Sequence, residues 1–172
     1  MYIRLKLINL FERNEVKMKR YISETDENNY THMLKILNSI GGRKLDYNWY
    51  ITNIEAYPQD EDCNLVNLWD DKEYLFLSND ELINMLEKND FIWVWGCFSA
   101  IPKKYSLEEI QKYENPFCDE NCEIHVDKPI IQHPLAEIEI DAEDSSNVAI
   151  ISKDDNIAEL FKKSFPNSKE NY

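Results

Sequence analysis

The sequence predicts an α+β fold: a single domain with a mostly antiparallel sheet and about four helices packed mainly on one face of that sheet. Short β-branched and aromatic segments follow one another in groups, which is typical of hairpins. Other segments space their apolar residues three and four apart, which is typical of amphipathic helices. The chain has 172 residues and is 43% hydrophobic, which is enough for one sizeable core.

The predicted helices are marked by their ends as well as by their periodicity. The first runs between about residues 30 and 40 and ends at a pair of glycines, which favour the left-handed backbone of a helix terminus. Two S-x-x-E capping boxes begin the second and third helices, and an aspartate begins the fourth, which stops before a proline. The residues that mark these ends are Gly41, Gly42, Ser78, Ser106, Asp154, Asp155 and Pro166.

The predicted strands differ in how much of them is apolar. Segment 91–100 is apolar at nearly every position, whereas a half-exposed strand would alternate, so it is predicted to be a central strand covered on both faces. The other segments are shorter, and turn residues separate them. These segments are 19–23, 47–57, 65–69, 74–77, 123–126, 136–142 and 148–151.

The charge balance narrows the classes of function. The chain carries 33 Asp and Glu against 19 Lys and Arg, a formal net charge of −14. Nucleic-acid binding through phosphates needs a basic face, so this class is not expected. A count of 3 Gly is too few for the glycine-rich phosphate loops. Apolar runs fall short of the roughly 18 residues that indicate a membrane helix, so no membrane span is expected.

Residues 1–17 differ from the rest of the chain. Charged side chains interrupt their apolar residues, so they lack the continuous apolar region of a signal peptide. We expect them to be either a translated leader, with the native start at Met18, or a basic arm. The domain is then predicted to span residues 18–172, and a cytoplasmic location with reduced thiols is expected.

A row of carboxylates in segment 136–143 is the first candidate for a functional surface. Strand periodicity puts Ala and Ile side chains on one face and acidic side chains on the other. The row is predicted to be either a solvated face or a docking ladder for a basic partner, and two acidic loops would extend the ladder. The predicted partner-binding residues are Glu137, Glu139, Asp141, Glu143, Asp60, Glu61, Asp62, Asp70 and Asp71.

A cluster of thiol and imidazole side chains follows Pro116. These are the ligands that Zn²⁺ prefers, and four of them would close a tetrahedral site. The C-x3-C spacing is not a standard zinc spacing, so a chance grouping of two loop cysteines with nearby histidines is the alternative. The candidate zinc ligands are Cys118, Cys122, His125 and His133. No other cofactor is expected.

Two tryptophans define the second candidate site. Period two would place Trp93 and Trp95 on the same face of segment 91–100, where they would form part of the core or, together with His133, line a pocket for a small flat ligand. The sequence contains no G-x-S-x-G, H-E-x-x-H or zinc-deaminase motif, so nothing singles out a catalytic residue.

Several stretches resemble a family of uncharacterised cytosolic proteins from low-GC Gram-positive bacteria, defined as a domain of unknown function. The resemblance lies in residues 95–103, 131–140, 144–146, 151–154 and 161–166. It implies one family-wide domain that begins near Met18, and it implies no activity.

Together these features favour a binding protein over an enzyme. We predict an acidic module that docks on a basic macromolecular partner, such as an immunity-type inhibitor of a toxin or a phage or host modulator. The alternative is a zinc-binding or small-ligand protein, or an enzyme, with its pocket near Trp93, Trp95 and His133. The oligomeric state is not predicted.

Overall fold

Seven strands form one sheet in the part of the chain that the structure, a computed structural model, describes: residues 18–24, 32–58, 72–89, 91–119 and 130–171. The strands are β1 (Lys19–Glu24), β2 (Tyr47–Pro58), β3 (Tyr74–Ser78), β4 (Phe91–Pro102), β5 (Ile138–Glu143), β6 (Asn147–Ser152) and β7 (Lys169–Asn171). Their order across the sheet is β3-β2-β4-β5-β6-β1-β7, and every neighbouring pair is antiparallel.

Four α-helices and one short 3-10 helix, Gly42–Lys44, accompany the sheet in the described residues. The α-helices are α1 (Met33–Ser39), α2 (Asn79–Lys88), α3 (Leu107–Ile110) and α4 (Asp155–Ser164). Helices α2 and α3 begin at the predicted capping boxes, in which Ser78 and Ser106 each exchange hydrogen bonds with the glutamate three residues on. After α1, Gly41 and Gly42 take φ angles of +139° and +56°, which favour glycine.

The two faces of the sheet have different covers. Side chains of α1, α2 and α4 pack on one face and build the main hydrophobic core with Trp49, Trp93 and Phe98. On the other face, α3 and the irregular residues 131–136 build a smaller core around Tyr50 and Ile110. The prediction of an α+β fold with helices mainly on one face of an antiparallel sheet is confirmed.

Strand β4 lies third in the sheet, between β2 and β5, as its apolar composition predicted. Its pairing with β2 contains two irregularities. Strand β2 has one extra residue, Asn53, whose φ is +51°. Strand β4 has one extra residue, Val94. Each bulge shifts which side chains face which side of the sheet.

A tight turn joins β5 to β6. Asp144 and Ser145 have φ angles of +48° and +56°, and the N–H of Ser146 donates to the carbonyl of Glu143 at 3.1 Å. Both central residues of this turn have the positive φ that a type I′ turn requires, and three residues connect the paired Glu143 and Asn147. The turn explains the D-S-S sequence, since short polar residues tolerate the left-handed region.

Some predicted elements differ from the observed ones. Strand β7 was not predicted, and the predicted third helix is a single turn, because its apolar positions are few. The predicted strands 65–69 and 123–126 lie outside the described residues. None of the helices in the described part of the chain is both long and apolar enough to cross a membrane.

Candidate functional site

The carboxylate row of β5 is buried, so the prediction that it forms an exposed face is wrong. Glu139 and Asp141 are 0% exposed and Glu143 is 6% exposed. Glu137 is half-buried, and it accepts a hydrogen bond from the Tyr47 hydroxyl at 2.9 Å. The physical reason is that β5 lies in the middle of the sheet and the segment after α3 covers its second face, so these carboxylates do not form a docking ladder.

Glu139 is tolerated in the interior because the covering segment supplies hydrogen-bond donors. The backbone N–H and the side-chain amide of Gln132 donate to its two oxygens, at 2.9 and 3.3 Å. Burial first, and then the charge of Asp141, raise the pKa of Glu139 well above its ordinary value, although the Gln132 bonds act the other way. Burial of Glu139 therefore favours the neutral form of its carboxyl group.

Two thiols lie beside this carboxyl group. Cys118 donates through Sγ to the carbonyl of Ala142 at 3.3 Å, and the amide of Gln132 lies 4.0 Å from the Sγ of Cys97. Burial, and next the Cys118 thiol, raise the pKa of Cys97 well above its ordinary value. Both cysteines are free and buried, and the raised pKa of Cys97 favours its protonated thiol, which is a poor nucleophile and a poor metal ligand.

The predicted zinc ligands are only partly described. Cys122 and His125 lie outside the described residues. His133 has both ring nitrogens occupied: Nδ1 accepts from the N–H of Leu135 and Nε2 faces the carbonyl of Ile110, each at 3.2 Å. In this structure His133 offers no free nitrogen to a metal, and within the described ranges no three His, Cys, Asp or Glu side chains are arranged to bind one.

The two tryptophans lie in different clusters, so the prediction that they share a face is wrong. Trp93 is buried in the main core between Phe91 and Phe98, whose ring centroids are 6.0 and 4.7 Å away. Trp95 packs on the thiol cluster of the other face. The extra residue Val94 reverses the alternation between them, and they line no common pocket with His133.

The acidic loops of the predicted docking surface lie outside the described residues. They contain Asp60, Glu61, Asp62, Asp70 and Asp71.

The structure instead brings together a hollow of about 210 Å³ that the sequence did not predict; we call it the tyrosine hollow. Its wall residues come from β2, from the start of β3 and from the segment after α3. They are Tyr50, Glu73, Tyr74, Gln111, Tyr113 and Asn115. His133 lies behind it, with its ring edge-on to Tyr50 at 5.8 Å and to Tyr113 at 5.4 Å. The histidine thus holds two of the walls in place.

Glu73 is the one charged side chain among the wall residues of the tyrosine hollow. The Tyr50 hydroxyl donates to Oδ1 of Asn115 at 2.6 Å, and the rings of Tyr50 and Tyr74 are 5.1 Å apart. Burial first, and then the Tyr74 hydroxyl and the Glu73 carboxylate, raise the pKa of Tyr50. Glu73 itself is exposed and makes no hydrogen bond or ion pair with any residue that the structure describes.

A longer groove of about 630 Å³ adjoins the tyrosine hollow; we call it the β3 groove. Residues 72–77, which are consecutive, line it together with Leu107 of α3. Glu73 and Tyr74 line both the groove and the hollow, so the two form one continuous surface. The alternation of Y-N-W-Y in β2 could have put Tyr50 on the face opposite Trp49, but nothing in the sequence links it to residues 73 or 113.

Comparison with known proteins shows the family. Residues 19–128 match the family model described as "Protein of unknown function (DUF2691)", so the chain belongs to that family. The match contains β1 to β4 and α1 to α3, together with every wall residue of the tyrosine hollow. Searches of curated proteins and of solved structures returned no match.

Proposed function

We propose that this domain binds a basic protein partner and that the tyrosine hollow receives one Lys or Arg side chain of that partner. The observation that carries the proposal is Glu73. Its carboxylate is exposed, has no hydrogen bond or ion pair within the described part of the chain, and lines a hollow whose other walls are polar side chains. A cationic group is the natural complement of such a carboxylate.

The size and chemistry of the hollow support a side chain over a small molecule. By itself the hollow, at about 210 Å³, is smaller than the roughly 300–1,000 Å³ that is typical of small-molecule pockets, and the adjoining groove is lined mainly by consecutive residues of one strand. Ammonium and guanidinium groups only donate hydrogen bonds. The carboxylate of Glu73 and the hydroxyl oxygen of Tyr50 can accept them, and tyrosine rings attract cations through their π faces.

The surrounding charge supports a basic partner. One wall of the hollow belongs to segment 107–115, which carries Glu108, Glu109 and Glu114 against Lys112. The whole chain has a formal net charge of −14. A field of this sign accelerates the encounter with a positively charged protein and orients it, and the effect weakens as salt is added.

The test is a selection of binding peptides from a displayed library of random linear dodecapeptides, with the full chain as target. We expect the selected peptides to share Lys or Arg at one position. The variant Glu73→Lys should bind these peptides at least about tenfold more weakly, because it places like charges together. The matched control is Glu159→Lys, which makes the same charge change at an exposed residue of α4. This helix packs against β1 and β6, away from the hollow.

Two results would contradict the proposal. One is a selected set with no preference for Lys or Arg. The other is an equal loss of affinity in Glu73→Lys and Glu159→Lys, since it would show that only the overall charge matters.

A further inference from the structure

The β3 groove runs along the backbone edge of the strand. Successive side chains of a strand point to opposite faces, so a groove on one face would contact every second residue. The β3 groove is instead lined by every residue from 72 to 77. Leu75 and Leu77 belong to the core under the helices, whereas Tyr74 and Phe76 belong to the core on the other face. A groove that is lined by residues from both faces must therefore run along the backbone edge of β3.

The two edges of the sheet are protected to different degrees. β7, at one end, has three residues, Lys169, Glu170 and Asn171, and its charges discourage pairing with another chain. β3, at the other end, has the sequence YLFLS, with no charge, no proline and no bulge in its pairing. Among the described residues β3 pairs with β2 alone. An apolar edge without these protective features is typical of a site that pairs with another strand.

The edge leads directly to the tyrosine hollow. Glu73 and Tyr74 line the near end of the groove and the wall of the hollow. A strand placed beside β3 would therefore bring one of its side chains to the hollow. At about 3.3 Å per residue, a segment of about five residues would cover β3.

We infer that the partner binds as an extended segment that pairs with the backbone of β3 and inserts a Lys or Arg side chain into the tyrosine hollow. This inference rests on the proposed function and specifies the form of the partner. Alternate side chains of the segment would contact Leu77 on one side and Phe76 and Leu107 on the other. Backbone hydrogen bonds would supply affinity, and the hollow would supply the preference for a basic residue.

The occupant is a segment of a basic protein, not a second copy of this chain. The carboxylate of Glu73 requires a cation at one end of the groove, and β3 itself contains no Lys or Arg. Lys72 also lines the groove, but if two β3 strands paired antiparallel in full register, Ser78 of one would lie opposite Tyr74 of the other, and the second copy's Lys72 would lie at the far end from the hollow. Self-pairing of β3 would therefore leave the hollow without its complement. A dimer that forms with rising protein concentration and that a charged substitution in β3, Phe76→Lys, abolishes would overturn this choice of occupant.

The experiment uses the tightest dodecapeptide selected on the full chain as its probe. A series of synthetic versions carries a single N-methyl group at each successive backbone nitrogen. In a paired strand, alternate N–H groups donate to the neighbouring strand, so N-methylation should weaken binding with a period of two residues. We expect a loss of at least about tenfold at alternate positions and less than about threefold between them. All changes are in the peptide, so folding of the protein is not affected.

The outcomes separate this inference from the proposed function. A peptide that depends on its basic residue and on Glu73, yet shows no period-two effect, would overturn strand addition and leave the proposed function intact. A period-two effect that is lost when the basic residue is replaced supports both. If no peptide is selected, or the selected peptides lack a basic residue, both are overturned.

Discussion

Strand β5 presents Ile138, Ile140 and Ala142 to the core under the helices, and it presents Glu139 and Asp141 to the other face. All five side chains are buried. The first three contact apolar side chains, whereas Glu139 depends on donors that Gln132 supplies. The same strand therefore belongs to an apolar interface on one side and to a polar interface on the other.

The difference shows what each cover contributes. Helices satisfy their own backbone groups and offer apolar side chains, so the face below them is apolar. An irregular segment has unpaired backbone N–H groups, and buried acceptors on the sheet satisfy them. The N–H groups of Cys118 and Asp119, for example, donate to Oδ1 of Asn53 at 2.8 and 2.9 Å. Polar side chains in the sheet thus fix the path of this segment.

The largest expected effect is on the apolar face. Phe98→Ala should lower the free energy of unfolding by about 3–5 kcal/mol, because it removes a fully buried ring that contacts Trp93 at 4.7 Å and leaves a cavity. Denaturant unfolding measures this change, and Phe98→Leu, which keeps most of the volume, is the control. A loss below about 1 kcal/mol would mean that this face is not the main source of stability.

An intermediate effect is expected from the buried carboxyl group of the polar face. The folded protein keeps a proton on Glu139 that the unfolded chain releases above its ordinary pKa, because the folded pKa is raised. Its contribution is therefore most favourable at low pH, and stability falls as the pH rises from about 4.3 towards the folded pKa, by at most about 1.4 kcal/mol per pH unit.

Glu139→Gln removes this dependence. We expect the stability of the variant, relative to the natural chain, to increase between pH 5 and 8 in urea unfolding. His133 has the opposite slope: its lowered pKa makes the folded state lose stability as the pH falls below about 6.5. The contribution of His133 to the free energy of unfolding is the same in both proteins, so it cancels when their stabilities are compared. Parallel stability curves for the two proteins would show that Glu139 is ionised in the folded state.

The smallest effect is expected at the neighbour of Phe98 on the polar face. The Ser99 hydroxyl is buried and makes no hydrogen bond with any of the described residues. Ser99→Ala removes an unsatisfied polar group, so it should leave stability unchanged or raise it by up to about 1 kcal/mol. Denaturant unfolding of Ser99→Ala and Phe98→Ala, measured under the same conditions, compares the two changes in stability directly. A loss above about 1 kcal/mol would indicate that this hydroxyl has a partner in solution.

Local signals made much of the fold predictable. The capping boxes at Ser78 and Ser106 depend on residues three apart, and the central position of β4 follows from its own composition. The depth of the β5 carboxylates was not predictable, because alternation separates two faces and does not say what covers them. The bulge at Val94 was equally hidden, since one extra residue leaves no mark in a run that is apolar throughout.

The candidate site was less predictable than the fold. The walls of the tyrosine hollow come from segments around residues 50, 73 and 113, and only the folded sheet brings them together. The net charge predicts a basic partner, and this stays a prediction that the proposed tyrosine hollow makes testable. The predicted docking surface was wrong for β5, because its row of charged residues is covered in the folded protein.

The position of β1 has a consequence for synthesis on the ribosome. Among the strands that the structure describes, β1 is made before the other six, yet its two neighbours are β6 and β7, which are made last. Arg20, for example, pairs with Ile151 and with Asn171. During translation β1 must wait without its native neighbours for on the order of ten seconds, at ordinary elongation rates. The pairing of β1 is therefore completed only after β6 and β7 have left the exit tunnel, which makes it a late, long-range step of folding.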